Sequence, residues 1–269
     1  MNSKSIALFT TCIVDQIMPE IGVATTRLLR RAGFTVAFPL AQTCCGQPFF
    51  NSGFRDQARP LAQRTIEILE PYDAIIIPGG SCTSMIRVEY PHLLQDSPPW
   101  HYAARRLAAK TFELSEFLDK LDAAQWLPPT ANPQSPILRQ TQDNRQSSIV
   151  NRQSSITYHD SCHMNRILGL RDEPRRLLQA VGYTIYEMAE ADRCCGFGGA
   201  FSIRMPEVSN AMTAEKIRQA RATTATTLVT ADPGCLLQMR GMVRDADNME
   251  VKHLAVALEE AITGEAVIC

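Results

Sequence analysis

The chain has 269 residues, and no apolar run in it approaches the roughly 18 residues that a membrane-crossing helix needs. It also has no excess of charge of one sign. Lys and Arg total 27 against 28 Asp and Glu, a formal charge of −1 with a pI near 6.5. That balance argues against the broad basic footprint of a nucleic-acid binder. The opening Met1-Asn2-Ser3-Lys4-Ser5-Ile6 lacks the apolar core and small-residue cleavage site of a secretory leader, so the chain is expected in the cytoplasm. There is no P-loop, no H-E-x-x-H and no nucleophile elbow. Gly79-Gly80 lies where an anion can bind but has no Walker lysine, and Gly196-Phe197-Gly198-Gly199 does not space as G-x-G-x-x-G. With no flavin or nicotinamide fingerprint, a self-sufficient dehydrogenase is not expected. The C-x2-C pairs that usually mark zinc are missing too.

Cysteine is not scarce: there are nine, and eight form two matching sets. Cys12, Cys44, Cys45 and Cys82 make the first; Cys162, Cys194, Cys195 and Cys235 make the second. Cys12 to Cys44 and Cys162 to Cys194 are both 32 positions, and the last steps are 37 and 40. Gly46 and Gly196 follow the paired cysteines. Cys269 has no counterpart and reads as a free thiol. In a reducing compartment such a pattern means metal or redox chemistry more often than disulfides.

The repeat implies two homologous half-domains. Short apolar strands alternate with helices in both halves, which predicts α/β architecture with mostly parallel sheets flanked by helices. Domains are expected at 1–126 and 156–269. Between them, 127–155 is rich in Pro, Gln, Asn and Ser, and Asn144-Arg145-Gln146-Ser147-Ser148-Ile149 recurs as Asn151-Arg152-Gln153-Ser154-Ser155-Ile156. This segment reads as a disordered linker or insertion. Helical spacing predicts single amphipathic helices over 105–121 and 251–262, and a strand over 183–187. Cys12, Cys82, Cys162 and Cys235 each fall just after an expected strand, so each set can converge at the carboxyl edge of its sheet.

Four thiolates are what an iron–sulfur cluster usually takes from a protein. Adjacent cysteines resist bonding to each other but can aim two thiolates into one concavity, and the glycine after them permits positive φ and close approach of amides to cluster sulfur. Buried structural cysteines and zinc are the competing readings; duplication of the whole register favours iron–sulfur. His159 and His163 flank Cys162 and read as local hydrogen-bonding groups or as partners behind the ligands. Gly46 and Gly196 belong to the same outer layer. Arg166 reads as an exposed arginine, and His253 as a packing or surface residue.

These residues resemble the cysteine-rich CCG domain family, found in tandem in heterodisulfide reductase, in the iron–sulfur component of glycolate oxidase and, most similarly, in the lactate-utilisation proteins. The likeness rests on Thr43-Cys44-Cys45-Gly46-Gln47-Pro48, Gly80-Ser81-Cys82-Thr83-Ser84-Met85, Tyr158-His159-Asp160-Ser161-Cys162-His163 and Cys194-Cys195-Gly196-Phe197-Gly198-Gly199. Glu113-Leu114-Ser115-Glu116-Phe117-Leu118 is similar to the helix after the first domain of that family. The resemblance implies iron bound through the eight cysteines, as one or two iron–sulfur clusters of the [4Fe–4S] type. It also implies an electron-transfer role in oxidising L-lactate to pyruvate, with other lactate-utilisation proteins, one ferredoxin-like, as partners. Heterodisulfide reductase carries C-x-x-C in its last block, where Gly79 and Asp232 stand here, so its disulfide chemistry does not carry over. A thiol–disulfide oxidoreductase and a metal-stabilised scaffold are the alternatives.

Overall fold

The computed structural model describes residues 5–127, 155–244 and 247–268. The expected linker, apart from its end residues, and Cys269 lie outside the described residues.

The first half runs β1 (Ser5–Leu8), α1 (Cys12–Gln16), α2 (Pro19–Arg31), β2 (Thr35–Ala37), α3 (Gln47–Asn51), α4 (Arg55–Leu69), β3 (Ala74–Ile77) and α5 (Gly80–Ser84). A π-helical turn, Met85–Glu89, leads into α6 (Tyr90–Leu93), followed by α7 (Pro98–Ala109), β4 (Thr111–Glu113), α8 (Leu114–Asp119) and α9 (Ala123–Trp126). The second half runs β5 (Ser155–His159), a π-helical turn at His163–Ile167, α10 (Asp172–Ala180), β6 (Thr184–Ile185), α11 (Ala200–Arg204) and α12 (Pro206–Ala222). It closes with β7 (Thr227–Thr230), α13 (Pro233–Arg240), β8 (Glu250–His253) and α14 (Leu254–Thr263).

Two four-stranded sheets result, ordered β2-β1-β3-β4 and β6-β5-β7-β8, and every pairing is parallel. The central strands explain why. Ala74-Ile75-Ile76-Ile77 is buried at all four positions, the continuous apolar run of a parallel strand covered on both faces. Ile6 pairs with Ala74 and Ile156 with Thr227, equivalent registers in the two halves.

The helices expected over 105–121 and 251–262 are corrected. The first breaks into α7, β4 and α8, and the second begins as β8. A strand of three or four residues is too short to display its own alternation, and its apolar residues fall in phase with the adjoining helix. What defines it is the neighbouring strand: the Ile75 amide donates to the Lys110 carbonyl at 2.8 Å, and the Glu250 amide to the Thr226 carbonyl at 2.9 Å. The strand expected over 183–187 shortens to β6, although the Tyr186 amide still donates to the Ile156 carbonyl at 2.8 Å.

The halves are not beads on a string. α2 packs on α14, and α8, the equivalent of α14, packs on α10, the equivalent of α2. α1 likewise meets α13, and α5 meets the turn at His163–Ile167. One apolar core joins Ile21 and Leu28 of the first half to Leu177, Leu254 and Leu258 of the second. Ion pairs cross the same seam: Arg31 with the buried Glu259 at 2.8 Å, Arg176 with Asp119 at 2.6 Å, and Arg240 with Glu20 at 3.0 Å. Among the described residues, no helix is long and apolar enough to cross a membrane.

Candidate metal centre

Each half delivers its cysteines in the same way. β1 and β3 end just before Cys12 and Cys82, and β5 and β7 just before Cys162 and Cys235. Thr11 starts the short helix carrying Cys12 by accepting from the Val14 amide at 3.2 Å. In the second half Asp232 does the same for Cys235. Its Oδ1 accepts from the Gly234 and Cys235 amides at 3.0 and 3.4 Å.

The paired cysteines arrive on turns seated against the long helices α4 and α12. Gly46 has φ of 84° and Gly196 has φ of 94°, backbone conformations that favour glycine. A Cβ on Gly196 would lie 2.5 Å from the Ser209 carbonyl oxygen, so α12 is in backbone contact with the turn. The Thr213 hydroxyl donates to the Cys195 carbonyl at 2.7 Å, and in the first half the Tyr90 hydroxyl donates to the Cys45 carbonyl at 2.8 Å.

The result is two groups of four thiols. Cys45 and Cys82 approach to 3.3 Å between sulfurs, and Cys195 and Cys235 to 3.1 Å. Cys12 donates to Cys44, which also receives from Cys45; Cys162 and Cys195 stand in the same relation to Cys194. All eight are free. Cys45, Cys82, Cys195 and Cys235 are buried; Cys44, Cys162 and Cys194 are half-buried, and Cys12 is exposed. Each group is thus buried at two of its cysteines and reaches solvent at the other two.

Electrostatics follow from the crowding. Hydrogen bonds from Cys12, Cys45 and the Gly46 amide hold the Cys44 thiol down at about 3. Hydrogen bonds from Cys162, Cys195 and the Gly196 amide hold Cys194 down at about 2. The donors are pushed the other way: Cys12 and Cys162 rise because each gives its proton to that thiolate and is partly buried. A site that stabilises a thiolate among thiols is chemically ready for a cation able to neutralise the rest. Amides also point at sulfur: Gly196 N lies 3.4 Å from Cys194 Sγ, and Phe197 N lies 3.5 Å from Cys195 Sγ.

The histidines separate. His159 is fully buried, with a ring nitrogen and the Cys195 and Cys235 sulfurs all within 4.8 Å of one another. Neither of its ring nitrogens has a hydrogen-bond partner among the described residues. Burial, and then the charge of Lys216, hold it down at about 3, so the ring is neutral. His163 instead lies 3.2 Å from Gln47 Nε2 of the other half and serves the seam. Arg166 is at the surface, donating to the Asp192 carbonyl at 3.0 Å. His253 is buried and caps α14, its Nδ1 accepting from the Ala255 amide at 3.1 Å.

Sequence reading missed the part that three residues play. Asp232 Oδ2 accepts from the Ser81 amide of the opposite half at 2.7 Å, tying the two cysteine regions together. Opposite it, a Cβ on Gly79 would lie 3.0 Å from Pro233, so the pair Gly79 and Asp232 belongs to the seam. Lys216 is fully buried beside the second group. Asp232 was findable as the start of an Asp-Pro-Gly-Cys helix cap; Lys216 gave no local signal.

The donor set fits a thiophilic metal group. In each half two sulfurs meet at 3.3 or 3.1 Å with the other two beside them, amides face the second set, and the orphaned ring of His159 stands behind it.

Comparison with known proteins agrees with this geometry. The family model for the CCG cysteine-rich domain matches residues 6–87 and again 156–240. Lactate utilization protein A of Exiguobacterium sp. is 39% identical over 266 residues, covering 96% of this chain and 98% of that protein. The protein of the same name from Bacillus subtilis is 39% identical over 255 residues, and that from Geobacillus kaustophilus 40% over 256; each comparison covers 94% of this chain and 98% of the relative. Among solved structures, a hypothetical protein from Helicobacter pylori superposes with a TM-score of 0.68 at 10% identity. It covers 98% of this chain and 50% of the other, a likeness of fold. Two matched cysteine-rich domains and relatives aligned over nearly their whole length lead to one conclusion: the chain belongs to the lactate utilization protein A family of tandem CCG-domain proteins.

Proposed function

We propose that the chain is a cytoplasmic iron–sulfur electron-transfer subunit of a multi-protein system that oxidises L-lactate to pyruvate. The observation that carries this is the twofold convergence of four thiols at the carboxyl edge of a parallel sheet. In this reading Cys12, Cys44, Cys45 and Cys82 hold one cluster, and Cys162, Cys194, Cys195 and Cys235 hold the other. The domains are 1–126 and 156–269, joined by an insertion. A bound cluster supplies one-electron storage.

The chain's own residues do the rest. The Gly196 and Phe197 amides offset negative charge on sulfur, Gly46 and Gly196 let the turns close, and the buried cysteines limit the access of water. Oxidising lactate removes two electrons and two protons from substrate. A hydride acceptor is expected on a partner, because the sequence carries no flavin or nicotinamide fingerprint. The relatives' name supports a lactate-utilisation role, with further lactate-utilisation proteins, one ferredoxin-like, completing the path.

One observation favours a second reading. His159, Cys195 and Cys235 alone form a compact nitrogen-and-two-sulfur group suited to a single zinc ion. The ligand pattern weighs against it: eight cysteines repeat in register, whereas His159 has no histidine counterpart three residues before Cys12.

The test is elemental analysis and EPR of anaerobically purified protein. About eight iron and eight sulfide per chain are expected on cubane stoichiometry. Cys45→Ser and Cys195→Ser should each remove about half, and the isolated chain should not oxidise lactate with a dye as acceptor. Zinc without labile sulfide would refute the reading.

A further inference from the structure

The two cysteine groups share a scaffold but not their surroundings. Three residues before Cys162 stands His159; three before Cys12 stands Phe9, also fully buried. On the long helix behind each pair, Leu61 faces Gly46 as Met212 faces Gly196. One turn further along, the first half has Thr65 and the second has Lys216.

Lys216 is unusual in its pairing. Its side chain is fully buried, yet among the described residues its ammonium makes no ion pair with a carboxylate. It donates to the Glu190 carbonyl at 2.6 Å and the Ala191 carbonyl at 3.2 Å, and lies 3.8 Å from the Met188 sulfur. The carboxylates nearby are engaged elsewhere. Asp160 is held by Arg175 at 2.7 and 3.1 Å, and Asp192 sits at the surface with Arg166. Asp232 is saturated by the Ser81, Gly234 and Cys235 amides and lies on the seam, where it acts on both groups. Burying an ammonium without an anion is costly, and the interior keeps one only where a counter-charge is at hand. The negative charges that act on it are those of Asp192 and Asp160, each already paired with an arginine, and those of Cys195 and Cys235 in the second thiol group. Burial pulls the Lys216 ammonium down to about 8, and Asp192, Cys195, Asp160 and Cys235 oppose that shift, favouring its charged form.

We propose that Lys216 is the buried counter-charge of the second metal site and that, with the His159 ring beside Cys195 and Cys235, it makes the second site the better electron acceptor of the two. This rests on the iron–sulfur reading above. A fixed cation in a low-dielectric setting stabilises the more reduced, more negative state. A neutral imidazole carries one N–H donor beside Cys195 and Cys235, where Phe9 offers none. With clusters bound at both sites, an electron on the first would pass to the second, oxidising the first by one electron and reducing the second by one, with no proton or covalent bond changing hands.

The experiment is a redox titration of the full chain, purified anaerobically and followed by EPR, after metal analysis. The expected result is two one-electron steps at different potentials. Lys216→Met, which keeps the volume and removes the charge, should lower the upper step and leave the lower one in place. Lys216→Arg should keep both. One shared potential in the unaltered protein would overturn the proposal, as would a Lys216→Met protein of full iron content whose upper step does not fall. If Lys216→Met sheds iron from one site, the arginine variant decides: retention of both steps supports a charge role, and loss in both variants overturns it. Zinc in place of iron and sulfide would instead bring down the iron–sulfur reading, before any titration is made.

Discussion

At the residue scale, equivalent positions do the same mechanical work with different chemistry. Glu113 ends β4 and caps α8, accepting from the Ser115 amide at 2.6 Å; His253 ends β8 and caps α14. Burial holds the Glu113 carboxyl up at about 8, opposed by its bonds to Ser115. Burial holds the His253 ring down at about 4, opposed by the Ala231 carbonyl and the charge of Asp232. The signs are opposite. The folded Glu113 stays protonated while the unfolded carboxyl ionises, so its contribution is full below pH 4.5 and is lost as pH rises towards 8. The folded His253 stays neutral, so its contribution is full above pH 6.5 and is lost as pH falls towards 4. Each slope reaches at most about 1.4 kcal/mol per pH unit. Glu113→Gln keeps the cap and removes the ionisation, so it should raise stability at pH 8 while changing little at pH 5. Urea unfolding at the two pH values measures this; an equal effect at both would refute it. The eight cysteines were legible in the sequence because spacing repeats are visible without structure. Lys216 was not, because a lysine on a long helix reads as solvated, and only tertiary packing buries it.

At the scale of elements, the turn and the helix behind it form one unit. Gly46→Ala meets Leu61 Cβ at 3.3 Å, which the helix can yield to, so its cost is the left-handed backbone, about 1–2 kcal/mol. Gly196→Ala meets the Ser209 carbonyl at 2.5 Å and adds overpacking of about 1–3 kcal/mol. Thermal melts should rank Gly196→Ala well below Gly46→Ala, and any loss of bound metal should be confined to the altered half. Comparable melting of the two variants would show that the turns are softer than the contacts imply. The long helices α2, α4 and α12 run for 13 to 17 residues, enough to display their period fully in the sequence. β4 and β8 were hidden, because an edge strand of three or four residues is specified by the strand beside it rather than by its own pattern.

At the scale of the molecule, the two sheets share a core that spans both halves, while the first sheet keeps a second core on its other face. Ile21, Leu28, Leu177 and Leu254 are each buried within a cluster that spans both halves. Neither half alone covers that face, and an exposed apolar face of this kind drives aggregation. Residues 5–127 and 155–268 produced as separate chains should therefore co-purify when expressed together and aggregate when expressed apart; calorimetry of the intact protein should show one transition. Two resolved transitions would mean that the seam contributes little. The sequence announced two copies of a domain, but not that the copies lean on each other. A repeat reveals kinship between segments and carries no information about the surface between them.

The arrangement of that seam has a historical consequence. Helix α2 meets α14 as α10 meets α8, which is how two identical protomers close a self-complementary dimer. In such a dimer every substitution appears twice, and its two sites can never differ. Joining the protomers into one chain lifts that restriction. Phe9 and His159, Thr65 and Lys216, Gly79 and Asp232 are then free to part company while the packing stays paired. Fusion turns a symmetric object into one with a direction, and a direction is what the proposed electron transfer would require.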